Sequence, residues 1–382
     1  MIRTFAEFTT RLDRFIRANM PLSGNEIRTP AQDHDFGELA LSLFALQYGS
    51  VPAYRNFCDI RHVTPGSVAD WKQIPPVPAR AFKEFDLTSL SAAERTHAFH
   101  SSGTTGQKPG RQFHDAASLA CYEQSLVPWF RAHLLPDEPP EIGLVVLTPS
   151  PADAPHSSLV HMAETIRRSF NWRFSEFVAG VDADNAWVLH SEVGVETLRG
   201  AQGSGLPVLI LGTAFSFVHL LDHLAAGDRD VRLPDGSRVM ETGGYKGRSR
   251  MMPKDELHEL IARRLGVPPS HIVCEYGMSE LSSQAYDRAA GHRAPRFNAS
   301  TLQRPFRFPP WARARIVSPE TGMLVGEGET GLIQVFDLAN ARSVMAIQTE
   351  DLAVLRADGF ELMGRAQLAE PRGCSLMTAA PR

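Results

Sequence analysis

Four short apolar runs, GLVVLTPS at 143–150, PVLILGT at 207–213, SRVMETGG at 237–244 and HIVCEYG at 271–277, each end in small or polar residues. Stretches with helical spacing, such as SSLVHMAETIRRSF at 157–170 and KDELHELIARRLG at 254–266, lie between them. A continuous apolar run suits a strand covered on both faces, and a helix between two such runs supplies the crossover that parallel pairing needs. The alternation therefore predicts an α/β fold with a largely parallel sheet, whose ligands gather beyond the carboxyl ends of its strands. After about residue 310 the pattern becomes β-rich. RARIVSPETGMLVGEGETGLIQVFDL has turn signals at PETG and GEGETG between alternating runs, which predicts a small β subdomain over about 310–365. The proline cluster IPPVP at 74–78 reads as a rigid connector, and no internal repeat is present.

The first twenty residues place Phe5, Phe8, Leu12, Phe15 and Ile16 at helical spacing, so 1–20 is expected to be an amphipathic helix packed on the body. It lacks the long apolar run of a signal peptide, and Glu7 and Asp13 count against a mitochondrial presequence. LPVLILGTAFSFVHLL at 206–221 is broken by Pro207, Gly212 and His219 and is too short to span a bilayer. A chain of 382 residues with 43% hydrophobic content can bury one large core with appendages. A net charge of −4 gives no basic field, so neither nucleic acid nor an anionic membrane is the expected partner. Cys58, Cys121, Cys274 and Cys374 are far apart with no CxxC pair, which fits reduced cytoplasmic thiols.

The run SSGTTGQKPG at 101–110 has the composition of a phosphate-holding loop without the GxxxxGK[ST] spacing of the common one. Flexible backbone at Gly103, Gly106 and Gly110, hydroxyls at Ser101, Ser102, Thr104 and Thr105, and the ammonium of Lys108 can all serve phosphate oxygens. On composition alone a solvated linker fits as well. EYGMSE at 275–280 follows a predicted strand and reads either as a polar turn or as a ligand-binding strand end. It is not a nucleophile elbow, because Leu281 stands where that motif needs glycine. The histidines of HSSLVH lack helix-face or strand-face spacing for two metal ligands.

The order of residues adds a resemblance. SSGTTGQKPG, EYGMSE, QTEDLAVL and ELMGRAQ resemble, in order, the signature segments of the adenylate-forming superfamily of acyl-CoA synthetases, adenylation domains and firefly-type luciferases. The resemblance covers about 75–370. It implies ATP and Mg2+ as cofactors, with the 101–110 loop, including Ser101, Ser102, Gly103, Thr104, Thr105, Gly106 and Lys108, closing over the triphosphate. Tyr276 resembles the aromatic that stacks on adenine, Ser279 stands where threonine is common, and Glu280 resembles the magnesium carboxylate. Asp351 resembles the carboxylate that takes the ribose hydroxyls, with Glu350 where a glycine is usual, and Arg365 resembles a ribose or phosphate contact. TGGYKG at 242–247 lies where the family lines the adenine site, so Gly243 and Gly244 would admit the base closely.

Past Arg365 only 17 residues remain, too few for a domain, so the mobile C-terminal domain of most members is expected to be missing. The expected organisation is an adenylate-forming core over 1–365 and a tail over 366–382. Chain length and the segment PRGCSLM at 371–377 are similar to the acyl-protein synthetase (LuxE-type) branch of bacterial bioluminescence operons. That resemblance implies a fatty acid activated as acyl-AMP with release of pyrophosphate, then moved to a cysteine near the end, here Cys374, for delivery to an acyl-accepting reductase or carrier. Beside Arg372 the thiolate of Cys374 would be favoured. Lys108, Glu280 and Cys374 are thus the expected catalytic residues, Lys246 being a further basic candidate. Two other readings stay open: a ligase resembling phenylacetate-CoA ligases that acylates coenzyme A or a carrier protein, and a non-catalytic nucleotide-binding protein.

Overall fold

The computed structural model describes residues 2–20, 29–101, 108–227, 230–243, 252–291 and 304–366. Helix α1 (Phe5–Ala18) starts where the Thr4 hydroxyl accepts from the Glu7 amide, and it buries Phe8, Leu12, Phe15 and Ile16, the face its spacing predicts. Helix α2 (Pro30–Ser50) opens on a Thr29/Gln32 capping box with Pro30 in its first turn, and α3 (Pro52–Asp59) follows directly. Strand β1 (Val77–Pro78) and the one-turn α4 (Ala81–Glu84) lead to the hairpin β2 (His97–His100) and β3 (Arg111–His114), whose connection is the 101–110 run. Helix α5 (Ala116–Leu134) is capped by Asp115, which accepts from the Ser118 amide.

The next elements build the main sheet. They are β4 (Gly143–Val146), α6 (Ser158–Ser169), β5 (Ser175–Phe177), the small hairpin β6 (Ala179–Val181) and β7 (Trp187–Leu189), and α7 (Ser191–Ser204). Then come β8 (Val208–Thr213), α8 (Ala214–Ala226), β9 (Arg238–Thr242), α9 (Lys254–Leu265), β10 (Ile272–Tyr276) and β11 (Ala285–Tyr286). Sheet order is β11-β10-β9-β8-β4-β5, parallel throughout except for β11 at one edge. Side chains alternate between two cores: Leu144, Val146, Leu209, Leu211 and Val273 join the core of α1, α2, α5 and α6, while Val145, Leu147, Ile210, Val239 and Ile272 face that of α7, α8 and α9. Both faces are covered, so the strands read as unbroken apolar runs. The run at 143–150 is strand only to Val146; the Leu147 amide makes one more bond to the Leu211 carbonyl, and Pro149 beyond it cannot donate to a ladder.

The β-rich region forms β12 (Ala312–Val317), β13 (Thr330–Asp337), β14 (Ala346–Arg356) and β15 (Gly359–Arg365). Its sheet runs β1-β14-β13-β12, with β15 also on β14. The proline cluster is therefore more than a connector, because Val77 and Pro78 pair in parallel with Ile347 and Gln348. Proline is tolerated there as the sheet edge. Between β14 and β15 the register slips at Met363, and Gly364 takes φ +112, a value that disfavours side chains. The slip leaves Arg365 opposite Asp351.

Candidate active site

The 101–110 loop is closed at its base by backbone pairing. The Ser101 amide donates to the Gly110 carbonyl at 2.9 Å, and the Gly110 amide donates to Ser101 Oγ at 2.8 Å. Ser102, Gly103, Thr104, Thr105 and Gly106 lie outside the described residues, and Lys108 is exposed just before the base. Gly110 is required by close approach: a Cβ there would sit 2.9 Å from Ser101 Oγ, 3.0 Å from Glu280 Oε1 and 3.4 Å from Phe82 Cβ. Glu280, expected from its motif alone, thus presses its carboxyl against the floor of the loop.

Tyr276 ends β10, and its hydroxyl donates to Asp351 Oδ2 at 2.8 Å. Arg365 Nε stands 3.6 Å from Asp351 Oδ1, with its side chain 78% exposed. Three residues separated by up to 89 positions are therefore joined at one point. The Tyr276 ring is buried edge-on among Phe306, Phe308 and Phe360, at 6.2, 6.2 and 5.6 Å between centroids. Ser279 Oγ donates to the His100 carbonyl at 3.1 Å, which ties the 277–281 turn to the strand entering the loop. Gly243 is exposed just past the end of β9, whereas Gly244, Lys246 and Cys374 lie outside the described residues.

Burial pushes the Glu280 carboxyl up to about 7, opposed by the charges of Arg365 and Lys83 and reinforced by Glu350. Asp351 is also raised by burial, against the pull of the Tyr276 hydroxyl and Arg365. Glu275, one residue before Tyr276, is pushed up to about 7 by burial, with a hydrogen bond from Thr242 opposing. Glu280 and Asp351 thus sit where the ionised form is costly without a cation, with Glu350 near enough for its charge to act on both. Among the described residues no three His, Cys, Asp or Glu side chains converge as a ready-made metal cage.

Sequence reasoning missed Lys83 and treated Glu350 only as a departure from a pattern. It also missed Gln112 and Asn340, both of which donate to the Glu280 carbonyl, at 3.3 and 2.9 Å. None of these has a spacing signal, since each is set by tertiary approach.

A family model described as acyl-protein synthetase, LuxE, matches residues 10–380. A long-chain-fatty-acid–luciferin-component ligase of Aliivibrio fischeri is 22% identical over 364 residues, covering 90% of this chain and 87% of the relative. The protein of the same name from Vibrio harveyi is 21% identical, with 88% and 85% covered. Among solved structures, 2-hydroxyisobutyryl-CoA ligase in an open conformation with 2-HIB-AMP and CoA superimposes with a TM-score of 0.60 at 12% identity. That match covers 92% of this chain and 82% of the ligase. The same ligase in its thioesterification state gives 0.61 at 13%, with 90% and 73% covered. At such identities the likeness shows a shared fold. No helix among the described residues is long and apolar enough to cross a membrane.

Proposed function

The chain belongs to the LuxE acyl-protein synthetase family, and from that premise we propose that it activates a long-chain fatty acid with ATP and carries the acyl group on Cys374 to a partner enzyme. The observation that carries the reading is the meeting of the loop base, Glu280, Tyr276, Asp351 and Arg365 at the carboxyl end of β10, although they span residues 101 to 365. The 101–110 hydroxyls, amides and Lys108 hold the triphosphate. Gly243, Gly244 and Tyr276 line the adenine, with Ser279 fixing the turn behind it. Asp351 accepts the ribose hydroxyls, and Arg365 follows ribose or phosphate.

Glu280 suits a magnesium ion: it is a hard oxygen donor beside Glu350 and against the phosphate loop, and this ion is commonly held by one or two carboxylates plus substrate phosphates. When bound, it would neutralise charge on the phosphates. The acid's carboxylate forms a bond to the α-phosphorus while the bond to pyrophosphate breaks, a displacement helped chiefly by position and charge. The Cys374 thiol then loses its proton and its sulfur bonds to the acyl carbon, with AMP leaving. Cys374 is eight residues beyond Ala366, so an extended tail reaches at most about 28 Å. The described cysteines Cys58, Cys121 and Cys274 are buried, and burial raises each thiol, so they are poor nucleophiles. Thioester chemistry of this kind suits the reducing cytoplasm.

The test is acid-dependent pyrophosphate exchange over a panel of fatty and aromatic acids, followed by labelling with the best acid. Hydroxylamine-sensitive label should appear on the protein, and Cys374→Ser should abolish it while sparing exchange. Full-rate acylation of coenzyme A or a carrier protein by the serine variant, with no label on the native chain, would replace the self-acylation reading. An absence of exchange with every acid would favour a nucleotide-binding protein without catalysis.

A further inference from the structure

The turn carrying Glu280 belongs to no helix or strand, so something else must aim its carboxyl at Gly110. The holding groups come from the end of β13 and the segment between β13 and β14. Asp337, wholly buried, accepts from the amides of Ser282 and Ser283 at 2.9 and 2.8 Å and from Ser283 Oγ at 2.7 Å. Asn340, 1% exposed, donates from Nδ2 to the Glu280 carbonyl at 2.9 Å and to the Val344 carbonyl at 3.1 Å. Its Oδ1 accepts from Ser282 Oγ at 2.7 Å and from Gln112 Nε2 at 3.1 Å. Gln112 lies on β3 two residues past Gly110, and its Nε2 also reaches the Glu280 carbonyl at 3.3 Å. From the far side Gln47 on α2 donates to the Asn340 carbonyl at 2.8 Å and accepts from the Met345 amide at 3.1 Å.

A buried amide is costly unless its bonds are made, and Asn340 makes all four. An apolar residue would fill that space more simply. The network joins two things the chemistry needs in register: the strand leaving the phosphate loop and the main chain of Glu280. We propose that Asn340, assisted by Gln112, is the positioning residue that fixes the Glu280 carboxyl against the phosphate loop and so sets the magnesium requirement of adenylation. The proposal rests on the reading of Glu280 as the magnesium carboxylate. Its force is geometric, because a site of this kind tolerates only about 0.5 Å of error, and without the carbonyl anchor the turn is held only past Glu280, by Asp337 at Ser282 and Ser283.

The experiment measures the magnesium dependence of pyrophosphate exchange, at saturating ATP and acid, in Asn340→Ala, Gln112→Met and Ser282→Ala, beside Glu280→Gln. Asn340→Ala should raise the half-saturating magnesium concentration about tenfold while the rate at saturating magnesium stays within about threefold of native. Gln112→Met and Ser282→Ala should raise it about threefold. The methionine variant should shift its thermal midpoint little: it loses the two Nε2 bonds, but the Glu280 carbonyl keeps Asn340 Nδ2, Asn340 Oδ1 keeps Ser282 Oγ, and the unpartnered Gln112 Oε1 goes too. If Asn340→Ala fails to fold, the two milder variants decide. Rates that fall with stability while the half-saturating concentration stays native would make the network merely structural and overturn the proposal. If Glu280→Gln itself leaves the magnesium dependence unchanged, the assignment of Glu280 falls instead, whatever the Asn340 result.

Discussion

Glu280→Gln should stabilise the ligand-free protein above neutral pH, although it removes a residue assigned to the reaction. Burial lifts this carboxyl from an ordinary 4.5 to about 7, so the folded state holds its proton more tightly than the unfolded chain does. Stability from a group raised in this way is complete below 4.5 and is lost as pH rises through 7. The interval between the two values corresponds to about 3 kcal/mol, reached by about pH 8. Glutamine mimics the neutral form and lacks this loss. With an unfolding entropy of about 2 cal/mol/K per residue, the gain for a chain of this length is about 4 °C in thermal midpoint. Thermal melts of both proteins at pH 5, 6, 7 and 8, without magnesium or nucleotide, give a difference that should be about 1 °C at pH 5 and should grow to about 4 °C by pH 8. Glu275, also pushed to about 7, adds a similar slope to both proteins and cancels in that difference. A difference that does not change with pH would refute the account of Glu280 as a buried, cation-awaiting carboxyl.

Asp351→Ala should weaken ATP binding by about 1.5–3 kcal/mol, through loss of charged hydrogen bonds to ribose, and unchanged affinity by calorimetry would remove Asp351 from the nucleotide site. Lys108→Ala should slow acyl-AMP formation in single-turnover measurements far more than it weakens ATP binding, whereas equal losses would make the lysine a plain binding group. At pH 7, where Glu280 is half protonated, binding of magnesium and ATP should release about half a proton from it beyond any released by the nucleotide. Calorimetry in buffers of different ionisation enthalpy should find that release, and Glu280→Gln should lose it.

The strands Val208–Thr213, Arg238–Thr242 and Ile272–Tyr276 were legible because each is buried on both faces and carries its own apolar run to a polar stop. Their ends therefore also marked the site. Val77 and Pro78 were not legible as a strand, because two residues have no period and the partners that make them one lie on β14. The amide pair of Gln112 and Asn340 was silent for a related reason. Its members are 228 residues apart, and a lone glutamine in RQFH or a lone asparagine in DLANA looks like a surface residue until the fold buries it. Glu280, Tyr276, Asp351 and Arg365 stood out through the order of their motifs. What order could not supply was the contact between Glu280 and Gly110, or the slip at Met363 that leaves Arg365 facing Asp351.

The site divides its charges between fixed and adaptable parts. Glu280 is buried and Asp351 partly buried, the first anchored through its carbonyl and the second through the Tyr276 hydroxyl. An ionised carboxylate offers about four acceptor positions, so Asp351 can keep Tyr276 and still receive both ribose hydroxyls. The cations are placed differently. Arg365 is mostly exposed, and at 3.6 Å its pairing with Asp351 is worth at most about 1 kcal/mol, so turning it toward a phosphate costs little. Lys108 is likewise exposed at the mouth of the loop. The proposed reaction, which would move negative charge from the α-phosphate to departing pyrophosphate, would be served by this division: anchored acceptors would hold the nucleoside while cations on the surface would follow the charge.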